Sequence, residues 1–204
     1  YTLLALFILS RIFFINTQDV FFDSGENLSL FNYSDYFQAI VSGHFPPHEG
    51  YIILFWPIFH IGNFLHIDPV YLVILGQILL AWLTIYCFDK ILLFISDKQT
   101  AFIATIIASI MPLFWITNVT IMMETTYISF FFFSIYFLIK YLTNTKKSLY
   151  LHISAFCFTF SFLTHMLIVL WFPVYLAIIF FKKRSSLFKT ILVIAIYTLT
   201  ASLV

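Results

Sequence analysis

The chain has 204 residues, 62% of them hydrophobic and 9% charged, with a formal net charge of +1 and a mean hydropathy of +1.02. Soluble domains carry about 45–50% apolar and about 25% charged residues, so this composition excludes a water-soluble enzyme and indicates a multi-pass membrane protein. A near-neutral chain with so few basic residues also offers no surface for nucleic acid.

Taken in order, the first element is the apolar run Tyr1 to Ile15. It has no basic flank and no small-residue cleavage site, so it reads as a membrane helix over about residues 1–16 rather than a removable signal. A polar stretch, Thr17 to Gly50, follows. It holds Asp19, Asp23, Glu26, Asp35 and Glu49, with His44 and His48 around Pro46-Pro47, and contains no lysine or arginine. Further spans are predicted at about 69–95, 100–117, 125–142, 150–166 and 167–181, with an incomplete one from 190. The expected fold is therefore all-α, a bundle of about seven transmembrane helices forming one module over residues 1–204. The phenylalanine run Phe130 to Phe133 suits a lipid-facing helix. Cys87 and Cys157 sit inside apolar stretches with no paired spacing, which argues against a disulfide or a zinc site. The chain starts at Tyr1 rather than Met and ends inside an apolar run, as an N-terminal piece of a longer protein would.

Basic residues give the orientation. Lys90 and Lys98, then Lys140, Lys146 and Lys147, then Lys182, Lys183, Arg184 and Lys189 fall on alternate loops, which the positive-inside rule makes cytoplasmic. Arg11 is the exception. The opposite face collects Asp19, Asp23, Glu26, Asp35, Glu49, Asp68 and Glu124. Tyr51 to Leu65 is apolar, but Pro57, His60, Gly62 and Asn63 interrupt it, and 15 residues rise only about 22 Å. If it crossed, every later basic loop would change sides. It is predicted to be an interfacial or re-entrant helix beside the bundle, which extends the outward loop over residues 17–68.

Three patterns in this outward region could carry chemistry. In Asp23-Ser24-Gly25-Glu26 two carboxylates lie one turn apart. They can serve as a general base and a second acid, or simply as the N-cap and third residue of a helix. In Gly43-His44-Phe45-Pro46-Pro47-His48-Glu49-Gly50-Tyr51 the prolines exclude a helical zinc motif and predict an extended turn. Such a turn can aim imidazoles and a carboxylate at one point, or leave them solvated. Glu124, after Asn118-Val119-Thr120, is an acid at the mouth of a helix pair, where an intramembrane charge suggests function and a snorkelling charge does not. Asn27-Leu28-Ser29, Asn32-Tyr33-Ser34 and Asn118-Val119-Thr120 are outward glycosylation sequons. A secondary transporter would share acids near one face, with Glu124 or His165 as coupling residues, but should show inverted repeats or broken helices. Neither is legible here.

Arg11, Asp23-Ser24-Gly25-Glu26, Gly43-His44, Pro47-His48-Glu49-Gly50-Tyr51 and Glu124, set among basic alternate loops, resemble the GT-C superfamily of polytopic glycosyltransferases. The protein O-mannosyltransferase and aminoarabinose-transferase-like families are nearest in pattern. One departure is Glu49, where relatives with His-Pro-Pro-Gly-Tyr have proline. The resemblance implies transfer of a sugar from a polyprenyl-phosphate donor, at the membrane lipid, to a hydroxyl of a protein or glycolipid acceptor outside the cytoplasm. It makes Asp23 the expected base and Glu124 the second acid, both catalytic. Glu26, His44, His48 and Arg11 become candidates for the departing phosphate or for a divalent metal ion. For Arg11 an ordinary snorkelling anchor stays open. The Phe, Ile, Lys, Asn and Tyr bias points to an AT-rich genome and a bacterial plasma membrane.

Overall fold

The computed structural model describes residues 2–16, 28–42, 49–143 and 148–173, with single positions at 175, 177, 188, 191, 192 and 195. Among these, every regular element is helical. In order they are α1 (Thr2–Ile12), α2 (Tyr36–Val41), α3 (Glu49–Leu65), α4 (Pro69–Ile95), α5 (Lys98–Ile110), α6 (Pro112–Val119), α7 (Glu124–Thr143), α8 (Leu149–Thr164) and a 3-10 helix, Met166–Trp171. Two helices, α4 and α7, are long and apolar enough to cross a membrane, and α5 with α6 makes a third if the bent pair is one span. Helix α8 is apolar but has only 16 residues. The span predicted at 167–181 opens instead as a 3-10 turn, and the one from 190 lies almost wholly outside the described residues.

Helix starts are set by short acidic side chains that accept the free amides of a first turn. Asp35 caps α2 through the Gln38 amide (2.7 Å). Asp68 caps α4 through Val70 and Tyr71, with Pro69 in the first position where a missing N–H costs nothing. Asp97 caps α5 through Gln99 and Thr100 and also receives the Thr100 hydroxyl at 2.6 Å. That hydroxyl, with the amides, holds the Asp97 carboxyl below the usual aspartate range.

The expected span 100–117 is divided into two helices, where no broken helix was legible in the sequence. Pro112 has no amide hydrogen and forces the residue before it out of the helical region. Met111 accordingly takes an extended ψ of 124°, and α6 leaves α5 at 54°.

The segment expected to be an extended turn up to Tyr51 also differs: the helix begins at Glu49, immediately after Pro47-His48, and runs unbroken through Pro57 to Leu65. Proline removes the amide that would bond the Ile53 carbonyl, and the Tyr36 hydroxyl of α2 donates to that carbonyl instead (3.1 Å). A tertiary contact thus repairs the defect that made the segment look interrupted. His66 ends α3 in the left-handed region (φ 56°), with the Ile67 amide returning to Gly62 at 3.0 Å.

Helix α3 runs antiparallel to the first half of α4. A side chain on Gly62 would meet Pro69, and one on Gly76 would meet Phe55. The core of this hairpin gathers Phe31, Tyr51, Ile52, Phe55, Ile74 and Ile78. The tightest helix pair is α7 with α8, packed through Leu138, Leu151, Ala155 and Phe158. Small hydroxyl residues stitch the helices together where lipid supplies no hydrophobic drive. Thr84 of α4 donates to Ser129 of α7 at 2.6 Å, and Ser154 and Ser161 of α8 donate to the Ser134 and Tyr127 carbonyls at 2.8 and 2.7 Å. Lys90, Lys98 and Lys140 share one end of the bundle; Asp68 and Glu124 lie toward the other.

At Gly50 a Cβ would run into the Thr164 hydroxyl and stand 3.0 Å from its amide, so Gly50→Ala must push α3 off α8. A loss of about 1–3 kcal/mol is expected, read as a lower thermal midpoint in detergent. The Asp97 cap predicts a pH dependence. A folded pKa held below the unfolded value stabilises the fold above the unfolded pKa of about 4, and the gain fades as pH falls through the folded value. Asp97→Ala should therefore melt below the parent at pH 7, with the gap closing on acidification; a gap unchanged with pH contradicts the cap.

Candidate functional site

Glu124 opens α7 and is held by a turn with few degrees of freedom. The Thr125 hydroxyl reaches back to the Thr117 carbonyl and the Asn118 side-chain oxygen, both at 2.8 Å. The Gln77 side chain of α4 donates to the Met122 carbonyl, and the Asn16 amide, just past α1, donates to the Val119 carbonyl at 2.9 Å. Three separate segments thus fix the strand of chain leading into the acid. Because Gln77 lies eight residues into α4, Glu124 sits about 12 Å below the α3–α4 turn. One carboxylate oxygen is shielded from solvent.

Aromatic side chains of α3 and of its own helix lie close to it. The phenols of Tyr51 and Tyr127 are both within reach of its charge. Tyr51 is fully buried and packs on Phe31 and Phe55, while its hydroxyl has no hydrogen-bond partner among the described residues. The His165 ring, where α8 ends, lies 4.8 Å from the Tyr127 ring. Gly50 abuts Thr164, which brings the start of α3, with Glu49, to the same recess. Residue types alone single out Tyr51 and Tyr127 from no other tyrosine, and only the antiparallel α3–α4 hairpin and the α7–α8 pair bring them together. His165 carried one legible sign, the apolar helix that stops beside it.

Below Glu124 an apolar cavity of about 370 Å³ extends between α4, the α5–α6 elbow and α7. Phe88, Phe114, Phe132 and Ile128 form much of its wall, and Ala108 leaves room beside the bend. Arg11 braces that bend from behind. It is 2% exposed; its guanidinium donates to the Ser109 carbonyl and to the Ser10 hydroxyl (2.9 Å). The ring of Phe7 lies 3.6 Å from it and that of Trp115 4.4 Å. A carbonyl near the broken C-terminus of α5 loses its helical partner, and a cation there also meets the negative end of the helix dipole. Arg11, a candidate for the donor phosphate, is thus placed in a protein interior on a backbone carbonyl.

Asp23, Glu26, His44 and His48 lie outside the described residues. Among the described ones no group of three His, Cys, Asp or Glu side chains is arranged to hold a metal ion. Asn118, expected as an outward sequon, is fully buried and accepts the Thr125 hydroxyl, so a glycosylating enzyme cannot reach it in the folded chain. Asn32 remains exposed, its amide turned to the Leu28 carbonyl (3.1 Å).

Residues 46–204, which take in α3 to α8 with the Glu124 recess and the cavity, match the family described as dolichyl-phosphate-mannose-protein mannosyltransferase. No curated protein and no solved structure matches the chain. Since the match spans most of the sequence and all of the helices that build the recess, the chain belongs to the dolichyl-phosphate-mannose-protein mannosyltransferase family.

Proposed function

We propose that this chain is a GT-C glycosyltransferase that moves a sugar from a polyprenyl-phosphate donor to an acceptor hydroxyl on the outer face of the membrane, in a bacterial plasma membrane. The observation that carries the reading is the convergence at Glu124. The outward loop leaves α1 at Asn16, bonded to Val119 five residues before the acid, and returns through Glu49 and Gly50 against the end of α8. Both stems of the acid-rich loop therefore flank one buried-edge carboxylate, which is the placement a loop-borne base needs.

In this reading the Asp23 carboxylate takes the proton of the acceptor hydroxyl as that oxygen bonds the anomeric carbon. The bond from that carbon to the phosphate oxygen breaks, and polyprenyl phosphate leaves with the electron pair. Glu124 stabilises the sugar as it gains positive charge. Glu26, His44 and His48, with a divalent metal ion if one is used, face the departing phosphate. Arg11 acts from beneath, keeping the elbow in place. The family supports the class of reaction; the acidic face and the recess support the site.

The broken α5–α6 pair is also a feature of secondary transporters. A transporter would move its cargo intact, whereas a transferase consumes the donor bond. Purified full-length protein in vesicles, given radiolabelled polyprenyl-phosphate sugar, should release polyprenyl phosphate and transfer label. Asp23→Asn should lower that rate about 100- to 10,000-fold, and parent-rate transfer would remove Asp23 from the base role. Glu124→Gln should cut kcat about 100- to 1,000-fold, the loss seen when one electrostatic stabiliser of a transition state is removed. A change confined to KM would place Glu124 in binding only.

A further inference from the structure

We propose that the ends of α4 and α7 form a binding site for an anionic phospholipid, its phosphate held between Lys90 and Lys140 and a chain laid along the outer face of α4. Lys140 lies about 24 Å of helix from Glu124, and the site owes nothing to the transferase reading. Three contacts keep α4 and α7 parallel in one register. Gln77 donates to the Met122 carbonyl just before α7, Thr84 donates to Ser129 at 2.6 Å, and the Phe88 and Phe132 rings meet edge to face with centroids 5.4 Å apart. Continued toward the helix ends, that register sets Lys90 level with Ile135, beside Tyr136. The two ammonium groups converge on a shared set of phenols. Lys90 lies 5.2 Å from the Tyr86 ring, and Lys140 lies 5.0 Å from Tyr136 and 5.8 Å from Tyr150 in the first turn of α8. Each is also within electrostatic reach of the other's tyrosine.

Charge and the face of α4 together decide the occupant. Asp89 pairs with Lys90 at 3.0 Å, whereas the groups that act on Lys140 among the described residues are phenols and not carboxylates. One acid thus meets two cations, and the excess is positive. Two ammonium groups held close repel, and an anion between them relieves that repulsion. A phosphate accepts charge-assisted hydrogen bonds from the lysines and further ones from the tyrosine hydroxyls. A zwitterionic head would bring its own cation against the excess positive charge. Leu79, Leu83, Tyr86, Lys90 and Leu93 recur at spacings of four and three, which places them along one face of α4. The three leucines and Tyr86 are exposed, on a helix long and apolar enough to cross a membrane. A lipid chain laid on Leu79 and Leu83 brings its phosphate to Tyr86 and Lys90, at the headgroup level where tyrosines and snorkelling lysines gather. A free phosphate ion would use the lysines but not the leucines, so the arrangement favours a lipid.

The test is native mass spectrometry of the full-length protein released from vesicles of phosphatidylcholine mixed with phosphatidylglycerol. Phosphatidylglycerol should be retained in preference to phosphatidylcholine. Lys140→Gln should lower that preference about fivefold, and Lys90→Gln with Lys140→Gln about 30-fold, the loss expected from about a factor of five for each basic residue at a lipid surface. Lys140→Arg, which keeps the charge, should preserve it. Lys98→Gln removes an equal charge from the same end of the bundle, at the exposed start of α5, and should leave the preference at the parent value. Equal retention of the two lipids overturns the proposal. A loss from Lys98→Gln as large as that from Lys140→Gln overturns it too, because a diffuse positive surface would then account for the binding. Displacement of the lipid by excess inorganic phosphate would make a free anion the ligand and overturn the lipid assignment.

Discussion

The contact on which the rest depends is that of the Arg11 guanidinium with the Ser109 carbonyl. A membrane-spanning helix can be broken only where its freed backbone groups find partners inside the protein. Pro112 breaks the third apolar stretch, and a cation held between Phe7 and Trp115 receives a carbonyl of the last turn of α5. With that end satisfied, α6 can bend away by 54°. The bend opens the space beside Ala108 and Phe114 that becomes the cavity, and it aims the end of α6 so that Thr117 and Asn118 meet Thr125. Glu124 inherits its position from that sequence of contacts.

The same economy appears in α3, where Pro57 would leave the Ile53 carbonyl bare and Tyr36 covers it. In both places a proline disrupts local structure and a side chain remote in sequence makes the disruption tolerable. These two repairs fix the two walls of the recess, α3 on one side and α6 on the other. The hydroxyl contacts between α4, α7 and α8 then hold the floor, through Thr84 with Ser129 and through Ser161 with the Tyr127 carbonyl. Catalysis in the recess, as proposed, needs such rigidity because misplacement of a reacting group by about 1 Å can cost about 100-fold in rate.

Much of this was legible in the sequence, and the exceptions share a cause. Long apolar runs gave α4 and α7 nearly to the residue, since length and composition alone decide whether a helix can span. Asp68, Asp97 and Pro69, whose local chemistry starts α4 and α5, were not singled out as helix starts. Pro112 was in plain view, yet a proline can either kink a helix or bound it, and the partner that allows the kink is 98 residues away. Tyr36 and Pro57 posed the same difficulty. Arg11 read as a snorkelling anchor or a phosphate ligand because charge says nothing of which carbonyl it will meet. Asn118 read as an exposed sequon because burial depends on Thr125 folding back across the turn. Glu124 was found from its place near a helix end; Tyr51 stood at the end of a loop motif and His165 as a transporter's coupling residue, and only the packing of α3, α7 and α8 brings Tyr51 to Glu124 and His165 to Tyr127.

The most direct measurement is the rate of sugar transfer by purified full-length protein carrying Arg11→Leu, at saturating polyprenyl-phosphate donor and in the same vesicles as the parent. With the guanidinium gone, the Ser109 carbonyl loses its partner and the elbow shifts, so the rate should fall by about 100-fold although the donor is saturating. Transfer at the parent rate would show that neither the elbow nor the acid it positions matters to the chemistry, and would contradict the account.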